Sequence, residues 1–159
     1  MNRVAEQPSA MATETRAAHD AGRFVTFRLD AEKYGINVMQ VREVLKITEI
    51  APVPGAPGFV LGIINLRGNV VTVIDARQRF GLQPRDMDEA TRIVIIEDGE
   101  QVVGMVVDSV AEVMNILPTE IELAPNVGND ESAKFIQGVS HQGEELTILI
   151  DHARLFSLE

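Results

Sequence analysis

The chain has no cysteine and no tryptophan, and only one Tyr and six Phe among 159 residues. Without cysteine there is no disulfide, no thiol nucleophile and no Cys-ligated zinc or iron–sulfur site. No apolar run approaches the roughly 18–20 residues that a bilayer-crossing helix needs, so direct membrane insertion is not expected. The N-terminal stretch Met1 to Ala21 lacks the apolar core of a signal peptide. With neither export signal nor cysteine, the expected compartment is the cytoplasm. Positive charge is scarce too: 14 Lys and Arg stand against 24 Asp and Glu, for a net charge of −10. Such a chain repels phosphate backbones, which argues against nucleic acid as a partner.

The missing positive charge is missing from one end. Residues 1–92 are nearly neutral, whereas residues 93–159 carry two basic residues, Lys134 and Arg154, against 13 acidic ones. A solvated acidic surface explains this simply. The functional reading is an acidic face for a basic partner.

What is present is β-structure. Residues 1–22 show no sustained apolar face and read as a disordered tail. From Arg23 onward short runs dominate, among them Val70 to Ile74, Val102 to Val107 and Leu146 to Ile150. They are β-branched, bounded by Gly, Pro, Asp or Asn, and too short for typical helices. They predict strands buried on both faces. Glu97-Asp98-Gly99-Glu100 predicts a hairpin turn, since Asp-Gly supplies positive φ angles; Leu29 to Lys33 predicts another.

The chain also repeats itself. At an offset of 69, Gly35-Ile36-x-Val38-x-x-Val41-x-Glu43-Val44-x-x-Ile47 matches Gly104-Met105-x-Val107-x-x-Val110-x-Glu112-Val113-x-x-Ile116. At an offset of 76, Phe59-x-x-Gly62 matches Phe135-x-x-Gly138, Val73-Ile74-Asp75 matches Leu149-Ile150-Asp151, and Phe80 matches Phe156. The connection after Ile116 is therefore seven residues longer than the one after Ile47. The domain boundaries that follow are a single domain over 23–159, with a first copy at about 23–85 and a second at about 90–157. Units this short rarely stabilise themselves, so the copies should share a core and could exchange strands. Several short strands per unit predict an all-β barrel or sandwich. Ala51 to Gly58 holds three prolines and cannot be a central strand. Asp75 and Asp151 each precede a short stretch that they would cap, so each copy should end in a helical turn, the second a short C-terminal helix.

Candidate chemistry is sparse. Asp75 and Asp151 could be a catalytic pair in a small enzyme or ligand-binding barrel, but capping explains both. His19, His141 and His152 lack ligand-spaced partners, so no metal is expected. No phosphate loop and no nucleophile elbow occur, so no cofactor and no catalytic residue are assigned. Differences between the copies say more. Gly62-Ile63-Ile64-Asn65-Leu66-Arg67-Gly68 faces Gly138-Val139-Ser140-His141-Gln142-Gly143, which has no cation. Arg67 lies between two apolar runs and needs a partner; turn carbonyls could serve, and Glu43 is the expected carboxylate. Glu112, the twin of Glu43, has no such arginine. Val38, Val41, Val44 and their twins, spaced by three, predict core packing, or an apolar groove if some stay exposed.

These residues resemble a family. Phe59 through Gly68, followed by Val70 to Arg77, is similar to the central signature of CheW-type chemotaxis coupling proteins. Tyr34-Gly35-Ile36, Val41-x-Glu43-Val44, Pro52-x-Pro54, Val103 to Asp108 and Gly138-x-x-x-x-Gly143 with Leu149-Ile150-Asp151 fit the same pattern. Ala76 and Thr72 depart from it, standing where Leu and Pro are usual. The resemblance implies two SH3-like five-stranded β-barrels around an apolar core. It implies a non-catalytic adaptor that bridges the cytoplasmic tips of methyl-accepting chemoreceptors to the regulatory domain of the histidine kinase CheA, and that can pack against further copies in arrays. By motif match, the implied partner-binding residues are Val41, Glu43, Gly62, Asn65, Leu66 and Arg67, with Val103 and Val110 as weaker candidates. A fragment of a larger signalling protein is a further reading; the tail and the end at Glu159 favour a stand-alone chain.

Overall fold

The structure, a computed structural model, describes residues 22–123, 132–142 and 144–156. The expected tail therefore lies outside the described residues, except Gly22, whose carbonyl accepts the Ile116 N–H. Eleven strands form among the described residues: β1 Arg23–Leu29, β2 Glu32–Asn37, β3 Val41–Lys46, β4 Val60–Leu66, β5 Asn69–Asp75, β6 Arg92–Asp98, β7 Gln101–Val107, β8 Ser109–Asn115, β9 Ile121–Glu122, β10 Ile136–Gln142 and β11 Glu145–Ile150. Two four-residue helices, α1 Ala76–Arg79 and α2 His152–Leu155, follow β5 and β11. Asp75 accepts the Arg77 N–H at 3.0 Å and Asp151 the Ala153 N–H at 3.1 Å. Both aspartates are thus helix caps at equivalent positions.

The strands make two mixed sheets, in the orders β8-β1-β2-β11-β10-β9 and β3-β6-β7-β5-β4. Each sheet draws on both copies. The β1–β2 hairpin of the first copy sits between β8 and β11 of the second, and the β6–β7 hairpin sits between β3 and β5 in return. The repeat offsets carry one sheet onto the other pair by pair. Phe27 faces Val110 as Ile96 faces Val41, and Val25 faces Val113 as Val94 faces Val44. The bulges recur as well, between Val25 and Phe27 in one ladder and between Val41 and Glu43 in the other. The longer second connection contributes β9, whose pairing of Glu122 with Val139 repeats the isolated Ala51–Ile63 bridge.

Both faces of the central strands are covered. One face of each sheet enters a shared core, where Val25, Phe27, Tyr34 and Ile36 of the six-stranded sheet meet Ile74, Val94, Ile96 and Met105 of the other. The few aromatics are concentrated there. Phe27, Tyr34, Phe80 and Phe135 form a chain with ring centroids 5.3–5.6 Å apart. The buried Arg79 guanidinium lies 4.2 Å from the ring of Phe59 and 4.6 Å from that of its twin Phe135. Arg77, also buried, ties the sheets together. Its Nη1 reaches Asp30 in the β1–β2 turn at 2.8 Å and Asp108, between β7 and β8, at 2.7 Å. The opposite faces carry smaller separate clusters, around Ile64, Val73 and Ile95 in one sheet and around Phe24 and Leu149 in the other.

Two expectations change. Val70 was placed in a strand buried on both faces, yet it is 69% exposed, because it sits at the outer end of β5 beside the turn. Val44 and Val113, read as core, are also exposed. The bulges keep them on the same face as Val41 and Val110, but they lie on β3 and β8, the edge strands of the two sheets, where the shared core does not cover them.

Gly62 explains itself in this frame. Its φ is +153°, and an added Cβ would collide with the carbonyl of Ala51, which accepts the Ile63 N–H. Gly62→Ala should lower the unfolding free energy by about 1–3 kcal/mol. Urea denaturation checks this, and an unchanged midpoint would contradict it.

Candidate functional site

The β4–β5 hairpin turns on two residues, Arg67 and Gly68, with φ of +52° and +87°. Positive φ at both central positions gives the tight turn whose twist matches its strands. Arginine is strained there, and two contacts hold it. Asn65 Oδ1, one residue before the turn, accepts the Gly68 N–H at 2.9 Å. The Arg67 guanidinium meets both carboxylate oxygens of Glu43, Nη2 to Oε1 at 2.8 Å and Nη1 to Oε2. So the partner of Arg67 is the carboxylate and not a turn carbonyl.

Glu43 can reach it because of the β3 bulge. Two residues of β3, Val41 and Arg42, occupy one step of β6, so Val41 turns toward the shared core while Glu43 turns to the outer cluster. The pair links β3 to the far end of the β4–β5 hairpin across the sheet. The Glu43 side chain is 21% exposed and that of Arg67 is 69% exposed. The Arg67 hydrogen bonds hold the Glu43 carboxyl below the usual glutamate range. A bidentate pair fixes geometry, but at this exposure its contribution to stability is modest and screened by salt.

The structure separates the other expected site residues. Leu66 is partly buried beside Arg67, and Asn65 is exposed. Val110 packs at the edge of the shared core opposite Phe27. Val103 is 4% exposed and lies within that core, so its side chain offers no surface. Gly62 lies under the Ala51 loop and acts through the fold. Glu43, Leu66 and Arg67 thus come together, while Val41, Val103 and Val110 pack at the shared core on the other face.

Beside Arg67 lies an open depression of about 560 Å³, framed by the β4–β5 turn, the start of β5 and the β6–β7 turn. Sequence reasoning missed it. The exposed Val70 and the turn acids Glu97 and Glu100 were its only signals. Sequence reasoning also left Glu112 without a cation. Glu112 hydrogen-bonds Lys33, whose side chain is 6% exposed and also lies 3.6 Å from Glu145; Arg28 pairs with Glu145 at 2.8 Å. The partner of the twin carboxylate comes from β2 rather than from a turn, which a search for a matching arginine could not see.

Asp75 does not join Asp151. Each caps its own helix, at the ends of β5 and β11 in different sheets. Burial raises the Asp75 carboxyl above its ordinary value, with the capped N–H groups opposing, which is the signature of a buried cap. Among the described residues no group of three His, Cys, Asp or Glu side chains could hold a metal ion. No helix among them is long and apolar enough to cross a membrane.

The chain is thus a duplicated all-β protein with exchanged hairpins and an ion-paired turn at the end of one sheet. The chain belongs to the CheW-like domain family, whose profile matches residues 23–159. It is 34% identical to the chemotaxis protein CheW of Klebsiella aerogenes, over 86% of this chain and 82% of that one. It is 32% identical to the chemotaxis protein CheW of Treponema pallidum, over 85% and 82% of the two chains. The crystal structure of the scaffolding protein TtCheW from Thermoanaerobacter tengcongensis aligns with a TM-score of 0.76 at 37% identity, covering 82% of this chain and 88% of that one.

The pairing has a pH signature. Because the carboxyl of Glu43 is lowered by Arg67, the pair stabilises the fold above the ordinary glutamate value and is lost as pH falls through the lowered one. In Arg67→Ala, Glu43 should titrate at higher pH than in the parent protein, followed by NMR of its carboxyl carbon. An unchanged titration would contradict the pair.

Proposed function

We propose that this protein acts by binding alone, in the cytoplasm, as the adaptor that couples the tips of methyl-accepting chemoreceptors to the regulatory domain of the histidine kinase CheA. Family membership supports the adaptor role in chemotaxis arrays. The observation that carries the residue assignment is the Arg67–Glu43 pair. It holds an exposed arginine on a strained turn, beside exposed apolar residues, at the edge of a sheet built from both copies. We read each sheet, with its own outer cluster, as an SH3-like barrel flanking the shared core.

Coupling by binding needs a difference in affinity. The adaptor must favour the kinase-on assembly over the kinase-off assembly, or the reverse, for a receptor shift to reach the kinase. A turn fixed by a bidentate pair suits that task, since it presents one geometry to the partner. Asn65 and Leu66 would shape the surface around Arg67, and Val41 would act from the other face of β3. The acidic second copy offers a separate face. Of the four acids Glu120, Glu122, Glu144 and Glu145 there, Glu120 caps the Leu117 N–H and Glu145 pairs with Arg28, so Glu122 and Glu144 are the two left to meet a basic partner.

Arg67→Ala should abolish receptor-dependent kinase activation with the fold retained. The readout is CheA autophosphorylation in receptor-containing membranes, with thermal melting as the folding control. A folded variant that activates the kinase normally would overturn the assignment.

A further inference from the structure

Among the described residues the chain passes between the two sheets at two places, from β2 to β3 through Val38–Gln40 and from β7 to β8 through Asp108. The offset of 69 makes these passages twins, with Met39 standing for Asp108. Their chemistry is opposite. The Asp108 side chain is 10% exposed, and its Oδ2 accepts the Asp30 N–H at 2.8 Å, Arg77 Nη1 at 2.7 Å and Arg85 Nη1 at 2.9 Å. Arg77 Nη1 also reaches Oδ1 of Asp30, and its Nε donates to the Gln83 carbonyl at 2.7 Å. One guanidinium thus joins the β1–β2 turn of the six-stranded sheet, the passage between the sheets and the segment that follows α1.

The twin passage has no such knot. Arg77 corresponds to Ala153, and Asp30 to Gly99. The two turns share a positive φ, +58° at Asp30 and +64° at Gly99, so the knotted end accepts backbone strain to place a carboxylate where its twin has glycine. Met39 is 53% exposed, and the Asn37 side chain accepts its N–H within the passage itself. Across the sheets at this end, His152 Nε2 and Asp98 stand 3.8 Å apart, beyond hydrogen-bond distance. Between the two ends lies the shared apolar core. Apolar burial is not directional, so the core holds the sheets together but sets the angle between them less sharply than charge-assisted hydrogen bonds do.

We propose that Arg77 is a positioning residue for coupling: it sets the angle between the two sheets, and so the relation between the faces that meet the two partners. The inference rests on the adaptor reading and adds to it a buried residue that acts without touching either partner. Two partners held at once must both fit one angle, whereas each alone can be met at any angle. Loosening the knot therefore separates coupling from binding.

The test removes the charged head of Arg77 and keeps an apolar stem. In Arg77→Met, Asp108 retains Arg85 and the Asp30 N–H, so no buried carboxylate is orphaned. The chain has no cysteine of its own, so cysteines placed at the exposed Ala31 and Gln78 carry spin labels on either side of the knot. Arg77→Met should broaden the distance distribution between the labels. Titration calorimetry should find unchanged affinities for the CheA regulatory domain and for a receptor cytoplasmic fragment, each measured alone. Receptor-dependent CheA autophosphorylation should nevertheless fall about fivefold or more. An unchanged distribution, normal activation, or a loss of activation matched by an equal loss of either affinity overturns the inference. If Arg77→Met fails to melt cooperatively, Asp30→Gly decides in its place, since it restores the residue of the twin turn, relieves the strain and removes one end of the bridge. Unmodified protein that binds neither partner would sink the adaptor reading, and the label distances would still decide whether Arg77 sets the angle.

Discussion

The β1–β2 hairpin lies between two strands of the other copy, and the β6–β7 hairpin returns the exchange. Each copy owns the flanking strands of one sheet and the central hairpin of the other. Without the partner hairpin those strands face a gap, with backbone donors and acceptors unpaired. The exchange therefore joins the copies more firmly than packing alone. It also explains the concentration of the scarce aromatics. Each hairpin carries apolar side chains through to the shared core, where Tyr34 of β2 meets Phe80, just after α1, and Phe80 meets Phe135, just before β10. Arg79 stands between the twin phenylalanines, while its own twin, Leu155, is a fully buried aliphatic. The junction is thus not symmetric in chemistry, though it is symmetric in register.

That asymmetry separates two otherwise equal surfaces. Both sheets place a glutamate after the same bulge, Glu43 in one and Glu112 in the other. The six-stranded sheet answers its glutamate from a neighbouring strand with a buried lysine. The five-stranded sheet answers from the hairpin turn with an exposed arginine. The first choice closes a surface and the second leaves one open. An adaptor that must touch two different partners needs such a division, and substitutions at a few equivalent positions supply it without altering the ladder.

Much of this was legible in the residues. The offsets of 69 and 76 pair positions that the two ladders then place in matching register. Asp-Gly and Leu-Asp-Ala located both hairpin turns, and Asp75 and Asp151 both caps. Arg67 stood out because its twin stretch lacks a cation, and Glu43 proved its partner. What stayed hidden was three-dimensional. An offset shows that two hairpins are alike, but not which sheet each completes, because that depends on pairings nearly the length of a copy apart. Val44 and Val113 were expected in the core because they repeat the spacing of Val41 and Val110, but β3 and β8 are edge strands, and the place of a strand in its sheet does not show in its residues. Lys33 escaped notice for a similar reason: it lies in the β1–β2 hairpin, far in sequence from Glu112.

The exchange can be tested by dividing the chain. Residues 1–85 and 86–159, expressed separately, each lack the hairpin that completes their own sheet. Circular dichroism and NMR of each half alone and of the equimolar mixture measure the consequence directly. Neither half should fold as a monomer, and the mixture should recover the spectrum of the intact chain. A half that folds cooperatively alone as a monomer, or a mixture that stays unfolded at high concentration, would contradict the account.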